Sequence, residues 1–244
     1  MKVLSMLFLL SFVVFPKTAL DSDAIQPKTA QKVNHMLWTN LLQKHVSNDG
    51  HVNYRGFKKD WPALKNYITI LGKQTPQSNW SKPETLAYWI NAYNALTIDL
   101  ILRHDPVNSI KDIRNPWKQE LWTLDDKTYD LDFIEHQILR KMQEPRIHFA
   151  IVCASYSCPK LRNSAYKPDH LNDQLDQAAK DFINDPKRND LSENSIEISK
   201  IFQWFRSDFE QHGSLIDFLN RFADIEVSKN ARIRFKNYNW DLND

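Results

Sequence analysis

Apolar residues recur at helical spacing from Lys28 to His45, where Val33, Leu37, Trp38, Leu41 and Leu42 form one stripe, and Asn48-Asp49-Gly50 ends the helix with turn chemistry. His51–Tyr54 reads as a short extended piece. Asp60-Trp61-Pro62 opens a second helix to about Leu71, because proline suits a first helical turn. A polar connection from Gly72 to Lys82 follows. Ser81-Lys82-Pro83-Glu84 then combines a cap, an early proline and an early acid, which predicts a strong helix to about Arg103. Its apolar residues, from Leu86 through Trp89, Ile90, Tyr93 and Leu96 to Leu102, nearly encircle it, so this helix is central and buried.

Leu121–Leu124 and Thr128–Leu131 flank Asp125-Asp126-Lys127 and predict a β-hairpin. Asp132 is expected to cap a helix from Phe133 to about Met142. The near-continuous apolar run Ile147–Cys153, bounded by turn residues, predicts a buried strand ending at a cysteine. Beyond it the pattern predicts a helix from Asp169 to Asn184, a strand around Ile196–Ile198 and helices around Trp204 and Leu215–Phe222. A last strand at Ile233–Phe235 leads into an aromatic clasp, Tyr238-Asn239-Trp240. The order of elements indicates an α/β (α+β) single domain, with the central buried helix packed on a small mixed sheet. No repeat or low-complexity linker divides it.

The amino terminus bears on location. Met1-Lys2, the apolar run Val3–Phe15 and Pro16-Lys17-Thr18-Ala19 have the parts of a secretory signal peptide, with cleavage expected near Ala19 or Ala24. The run is shorter than the roughly 20 apolar residues of a membrane span. Residues 25–244 would then form one exported domain, periplasmic or secreted, without a stable membrane span once the signal is removed. The 32 basic residues nearly balance the 30 acidic ones, so no global field draws a polyanion, and nucleic acid is not an indicated partner. Only four glycines occur, none close enough to another to cradle a phosphate, and no cofactor is expected.

The two cysteines stand in Cys153-Ala-Ser-Tyr-Ser-Cys158-Pro159. In an oxidising compartment they suit a disulfide closing a tight loop. A thiol at the mouth of a strand also suits a nucleophile, with the other cysteine as redox partner. Metal binding is the third reading, with a spacing unlike a zinc knuckle. His148 lies an odd number of residues before Cys153 on the expected strand, which puts the two on opposite faces and favours a core role for the histidine. Glu135 and His136 are adjacent on the preceding helix, about 100° apart, so they are not themselves a hydrogen-bonded dyad, and they are expected to converge on Cys153 or on the central helix from different angles. Asn91 and Asn94 interrupt the central apolar helix on one side. They serve either as structural bonds to a following segment or as donors to an oxyanion or substrate amide.

Three blocks carry a resemblance: Tyr88–Leu96, Leu131–Arg140 and Arg146–Pro159. Their order and spacing resemble the domain-of-unknown-function family 547, and the aromatic tail through Trp240-Asp241-Leu242-Asn243 is similar to the family's usual close. Phe133 stands where the resemblance calls for an acid. The resemblance implies placement more than activity: many bacterial members look exported. A central helix followed by a unit bearing His and Cys is also similar in outline to papain-like and transglutaminase-like thiol enzymes, whose nucleophile normally precedes the histidine. Two functions are expected from these residues. One is a thiol-dependent hydrolase or acyl transferase acting on an amide or ester of peptide-like or cell-envelope material. In it Cys153 is the nucleophile, His136 the base and Glu135 its polarising carboxylate, with Asn91 or Asn94 as oxyanion donor. The other is a non-enzymatic peptide- or protein-binding module in which the Cys153–Cys158 disulfide ties the loop.

Overall fold

A computed structural model describes residues 32–244. The expected signal peptide with its cleavage sites, and residues 28–31 at the expected start of the first helix, lie outside the described residues; the helix itself begins at Met36, later than its apolar spacing implied.

Helices α1 (Met36–His45), α2 (Tyr54–Lys59), α3 (Trp61–Lys73) and α4 (Lys82–His104) form the first half. Helix α2 has no apolar stripe and escaped the periodicity. It starts because the Asn53 side chain accepts a hydrogen bond from the Gly56 N–H at 2.8 Å. Gly56 is needed there, since a Cβ would stand 2.5 Å from His45 Nδ1. Helix α4 carries the expected capping box, with Ser81 and Glu84 each accepting the other's backbone N–H. It is buried from Leu86 to Leu102. Its one buried carboxylate, Asp99, accepts hydrogen bonds from Trp61 Nε1 (2.6 Å), Trp122 Nε1 (2.8 Å) and Arg103 Nε (2.6 Å), which fasten α3 and the hairpin to it.

The hairpin pairs β1 (Trp122–Leu124) with β2 (Lys127–Tyr129), Trp122 opposite Tyr129, through the two-residue turn Asp125-Asp126. Asp130, rather than Asp132, caps the next helix by accepting from Phe133 N at 2.6 Å. That helix, α5 (Leu131–Phe133), widens into a π-helical turn at Ile134–Leu139.

The strand expected at Ile147–Cys153 is absent. Pro145–Phe149 is a 3-10 helix, opened by Pro145 in its first turn and by the Glu144 carboxylate accepting from Arg146 N at 3.2 Å. A short apolar run is buried on all sides in either conformation, so its composition does not separate the two. Here Ile147 packs in one cluster and Phe149 in another. The backbone after the helix finds a side chain instead of a neighbouring strand: Asn94 Nδ2 donates to Ala150 O at 2.9 Å and Val152 N donates to Asn94 Oδ1 at 3.0 Å.

The second half comprises α6 (Leu171–Ile183), β3 (Asp190–Leu191), β4 (Ser195–Ile198), α7 (Ile201–Trp204), α8 (Arg206–Phe209), α9 (Leu215–Asn220) and β5 (Arg232–Phe235). The sheet is mixed, in the order β3-β4-β5, with β4 antiparallel to β3 and parallel to β5. The helix-and-sheet class is therefore as expected, but the central helix is not packed chiefly on the mixed sheet as expected. Helix α4 is enclosed chiefly by α2, α3, α5 and the π turn, while the mixed sheet serves the second cluster built on Phe182, Phe202, Phe209 and Phe218. No helix among the described residues is long and apolar enough to cross a membrane.

Candidate functional site

The site lies where the two clusters meet. The π turn, the loop Ala150–Pro159 that follows the 3-10 helix, the segment 111–118, α7 with Phe205 and the carboxy-terminal tail build it. The tail is laid across that loop by backbone hydrogen bonds from Tyr156 N to Asp241 O (2.7 Å), Ser157 N to Asn239 O (3.2 Å) and Asn243 N to Ala154 O (3.3 Å). This crossing brings Tyr238 and Trp240 beside Trp204, with ring centroids 4.6–5.8 Å apart, and sets Trp117 edge-on to Trp240. The aromatic clasp read from the tail thus forms one wall of a cleft of about 720 Å³. Lys111, Arg114 and Lys118 and the carboxylates Asp132 and Glu135 also line it. A second hollow of about 590 Å³ lies beyond the same loop, lined by His51, Asp181, Asp185, Lys187 and Arg188, without His136 or His148.

Five of the candidate residues picked out from the sequence line the aromatic cleft: Glu135, His136, His148, Cys153 and Cys158. Asn91 and Asn94 do not. Each is about 1% exposed and uses both ends of its amide on backbone. Asn91 Nδ2 donates to Tyr166 O at 2.8 Å and Tyr166 N donates to Asn91 Oδ1 at 2.9 Å, the pattern that Asn94 repeats on Ala150 and Val152. The two amides replace strand partners for the loops that flank α4. They face those loops, away from the place where an oxyanion donor would stand.

Cys153 and Cys158 are joined in a disulfide, with Cα atoms 6.3 Å apart. In this state Cys153 has no thiol to act as nucleophile. Around the bond, Cys158 Sγ accepts from Cys153 N at 2.9 Å, and Ser155 Oγ and Tyr238 OH each lie 3.3 Å from it. Ser155 Oγ is also 3.3 Å, and Tyr238 OH 3.4 Å, from Cys153 Sγ. Burial pushes the Tyr238 phenol up to about 12, which keeps it a donor at neutral pH.

The histidines are engaged elsewhere. Arg140 Nη1 lies 3.1 Å from His136 Nδ1; arginine only donates, so Nδ1 is the acceptor and the neutral ring carries its proton on Nε2, 3.8 Å from Asp132 Oδ1. The lone pair of His136 is therefore turned to Arg140. Glu135, expected to polarise His136, instead accepts from Tyr93 OH at 3.0 Å. Its proximity and burial push the Tyr93 phenol well above its ordinary range. His148 is 3% exposed, stacks on Phe205 with centroids 3.9 Å apart, and binds Asp208 Oδ2 through Nε2 at 2.8 Å. Burial lowers its pKa, and the Asp208 contact offsets only part of that. Asp208 in turn takes two bonds from Arg140, to Nε at 2.6 Å and Nη2 at 2.8 Å. Arg140 and Asp208 were not picked out from the sequence. Arg140 ends one of the three resemblance blocks, but Asp208 lies 68 residues further on with no local signal. Among the described residues no group of three or more His, Cys, Asp or Glu side chains is gathered as a metal site.

Residues 77–183 match the family described as "Protein of unknown function, DUF547". That span holds α4, the hairpin, the π turn, the disulfide loop and α6, while the tail and α7 that complete the cleft lie beyond it. No curated protein and no solved structure matches the chain.

Proposed function

We propose that this chain, a member of the DUF547 family over residues 77–183, is an exported binding module whose aromatic cleft takes a peptide-like ligand of the cell envelope or its surroundings. The observation that carries this reading is the commitment of the polar groups. The cleft gathers the candidate chemistry, yet Cys153 is tied in a disulfide, His148 is held by Asp208 and the lone pair of His136 is turned to Arg140. What remains open to a ligand is a wall of Trp117, Trp204 and Trp240 in a cleft that Lys111, Arg114, Lys118 and Asp132 also line. A cleft of about 720 Å³ is of the size that takes a small ligand or a few residues of a chain. Aromatic faces with charges of both signs suit a zwitterionic oligopeptide.

The test is tryptophan fluorescence during titration with short zwitterionic oligopeptides. Saturable change in the wild type, weakened at least tenfold by Trp204→Ala, supports the module. Absence of any change up to millimolar peptide, or equal binding by the variant, overturns it.

A second reading has its own observation: Cys153 shares the cleft with His136 and Glu135. Reduction of the disulfide would free that thiol among them, as a thiol-dependent hydrolase or acyl transferase requires. Ester hydrolysis that appears only after reduction and disappears in His136→Ala supports it. An inactive reduced protein that labels slowly with iodoacetamide near neutral pH removes it.

A further inference from the structure

The two sulfurs are not equivalent. Cys158 is buried, 3% exposed, and its Sγ has the Cys153 N–H at 2.9 Å with the Ser155 and Tyr238 hydroxyls each at 3.3 Å. Cys153 is half-buried and faces the cleft, and it has only those two hydroxyls, at 3.3 and 3.4 Å. Neither sulfur of a disulfide carries a hydrogen, so the hydroxyls are the donors, and each can serve one sulfur at a time. The backbone N–H is fixed on Cys158. A loop of this length also adds little as a staple, about 2 kcal/mol on chain entropy. A buried sulfur surrounded by donors, bonded to a sulfur open to a cleft, is the arrangement of a good leaving group behind an accessible point of attack.

We infer that the Cys153–Cys158 disulfide is an exchange centre, which oxidises a dithiol presented in the aromatic cleft. This rests on the cleft being open to a ligand, as proposed above, and not on which ligand fills it. A substrate thiolate attacks Cys153 Sγ from the cleft. The Cys153–Cys158 bond breaks and its electron pair leaves on Cys158 Sγ, where the donors receive the charge. The second substrate thiol, deprotonated, then attacks the substrate sulfur of the mixed disulfide and expels Cys153 as a thiolate. The substrate leaves as a disulfide, the protein holds two reduced cysteines, and the two protons released by the substrate end on them or in solvent.

The probe is dithiothreitol, small enough to reach the sulfur whether or not a peptide binds, so failure here and failure of peptide binding are separate results. Reduction of the folded wild type is followed by acid quenching, alkylation and intact mass, which count thiols on the protein itself, with tryptophan emission as the monitor of folding. Two thiols are expected to appear while the emission stays native. Tyr238→Phe, or Ser155→Ala as a second variant should the first unfold, is expected to slow reduction roughly three- to tenfold, the loss of one charge-assisted donor attenuated by the partial charge on the leaving sulfur. In Cys158→Ser the free Cys153 should exchange with oxidised glutathione, releasing one reduced glutathione and keeping the other half as a stable mixed disulfide, and in Cys153→Ser the buried Cys158 should form it at least tenfold more slowly. The inference is overturned if the wild type yields thiols only as it unfolds. It is equally overturned if the folded donor variants are reduced at the wild-type rate, or if the two single-cysteine variants trap glutathione equally fast.

Discussion

Arg140 grips Asp208 through two hydrogen bonds, of 2.6 and 2.8 Å, and so ties the π turn beside the central helix to the short helix α8 of the second cluster. Asp208 also receives His148, and Arg140 also reaches His136, so one ion pair orients both cleft histidines. Replacing Arg140 by Ala leaves a mostly buried carboxylate with only His148 at 2.8 Å and the Ser207 hydroxyl at 3.4 Å. The expected cost is about 2–4 kcal/mol in urea denaturation. A loss under 0.5 kcal/mol would show that the pair holds nothing together.

Stability should fall as the solution is acidified below pH 6.5. The folded state holds His148 below its ordinary 6.5 because it is buried, and His35 at about 4 for the same reason. The unfolded chain therefore binds more protons between pH 6.5 and 4, and folding stability is lost as pH drops through that window. For His35 alone the loss is at most about 3 kcal/mol. Asp208 adds a later loss. Burial raises its pKa, but Arg140 and His148 together outweigh this and hold it well below the ordinary 3.8, so its contribution persists until strongly acidic pH. Melting temperatures measured from pH 8 to 4 check the direction, and a flat profile between 7 and 4.5 contradicts it.

Asn94→Leu should unfold the loop that carries the disulfide. The substitution leaves Ala150 O and Val152 N without partners, at roughly 1–3 kcal/mol for each buried group. Asn94→Asp keeps an acceptor for Val152 N but sets a carboxylate oxygen against Ala150 O, so it should rescue little. Denaturant midpoints of both variants read this directly. A neutral Leu variant with lost ligand binding would move Asn94 into the binding role.

Removing the disulfide should be tolerated. Cys153→Ala with Cys158→Ala is expected to cost no more than about 2 kcal/mol, since the closed loop is short. The core around it, with Ile147, Ala150 and Val152 buried, remains. Calorimetry of the double variant tests this, and failure to fold at room temperature would mark the bond as indispensable.

Expressed from its own amino terminus in a bacterium, the chain should be shortened. Intact mass is expected to place the new terminus after Ala19 or Ala24 in the periplasmic fraction. Unprocessed protein in the cytoplasm would remove the exported placement and, with it, the oxidising surroundings assumed for the cysteines.

Local pattern accounted for much of the fold. The capping box and encircling apolar residues of α4, the hairpin around Asp125-Asp126 and the aromatic tail were legible because each is set by neighbours in sequence, through caps, turns and periodic burial. The buried amides on α4 were legible as a question of satisfied partners, and the cysteine spacing as a loop within bonding reach. The conformation of Ile147–Cys153 was not, because a run enclosed on every side has no polar face to report its period. Nor were the partners of the candidate residues. Tyr93 for Glu135, Arg140 for His136, and Asp208 for His148 are choices among many available side chains, and the last pairs positions 60 residues apart. Sequence alone thus determined which segments are buried, where the long central helix begins and which chemistry-bearing residues exist. Tertiary structure alone decided which of them meet in the cleft and which are already bound, because hydrogen-bond partnership depends on distance and direction between segments that nothing in the local pattern relates.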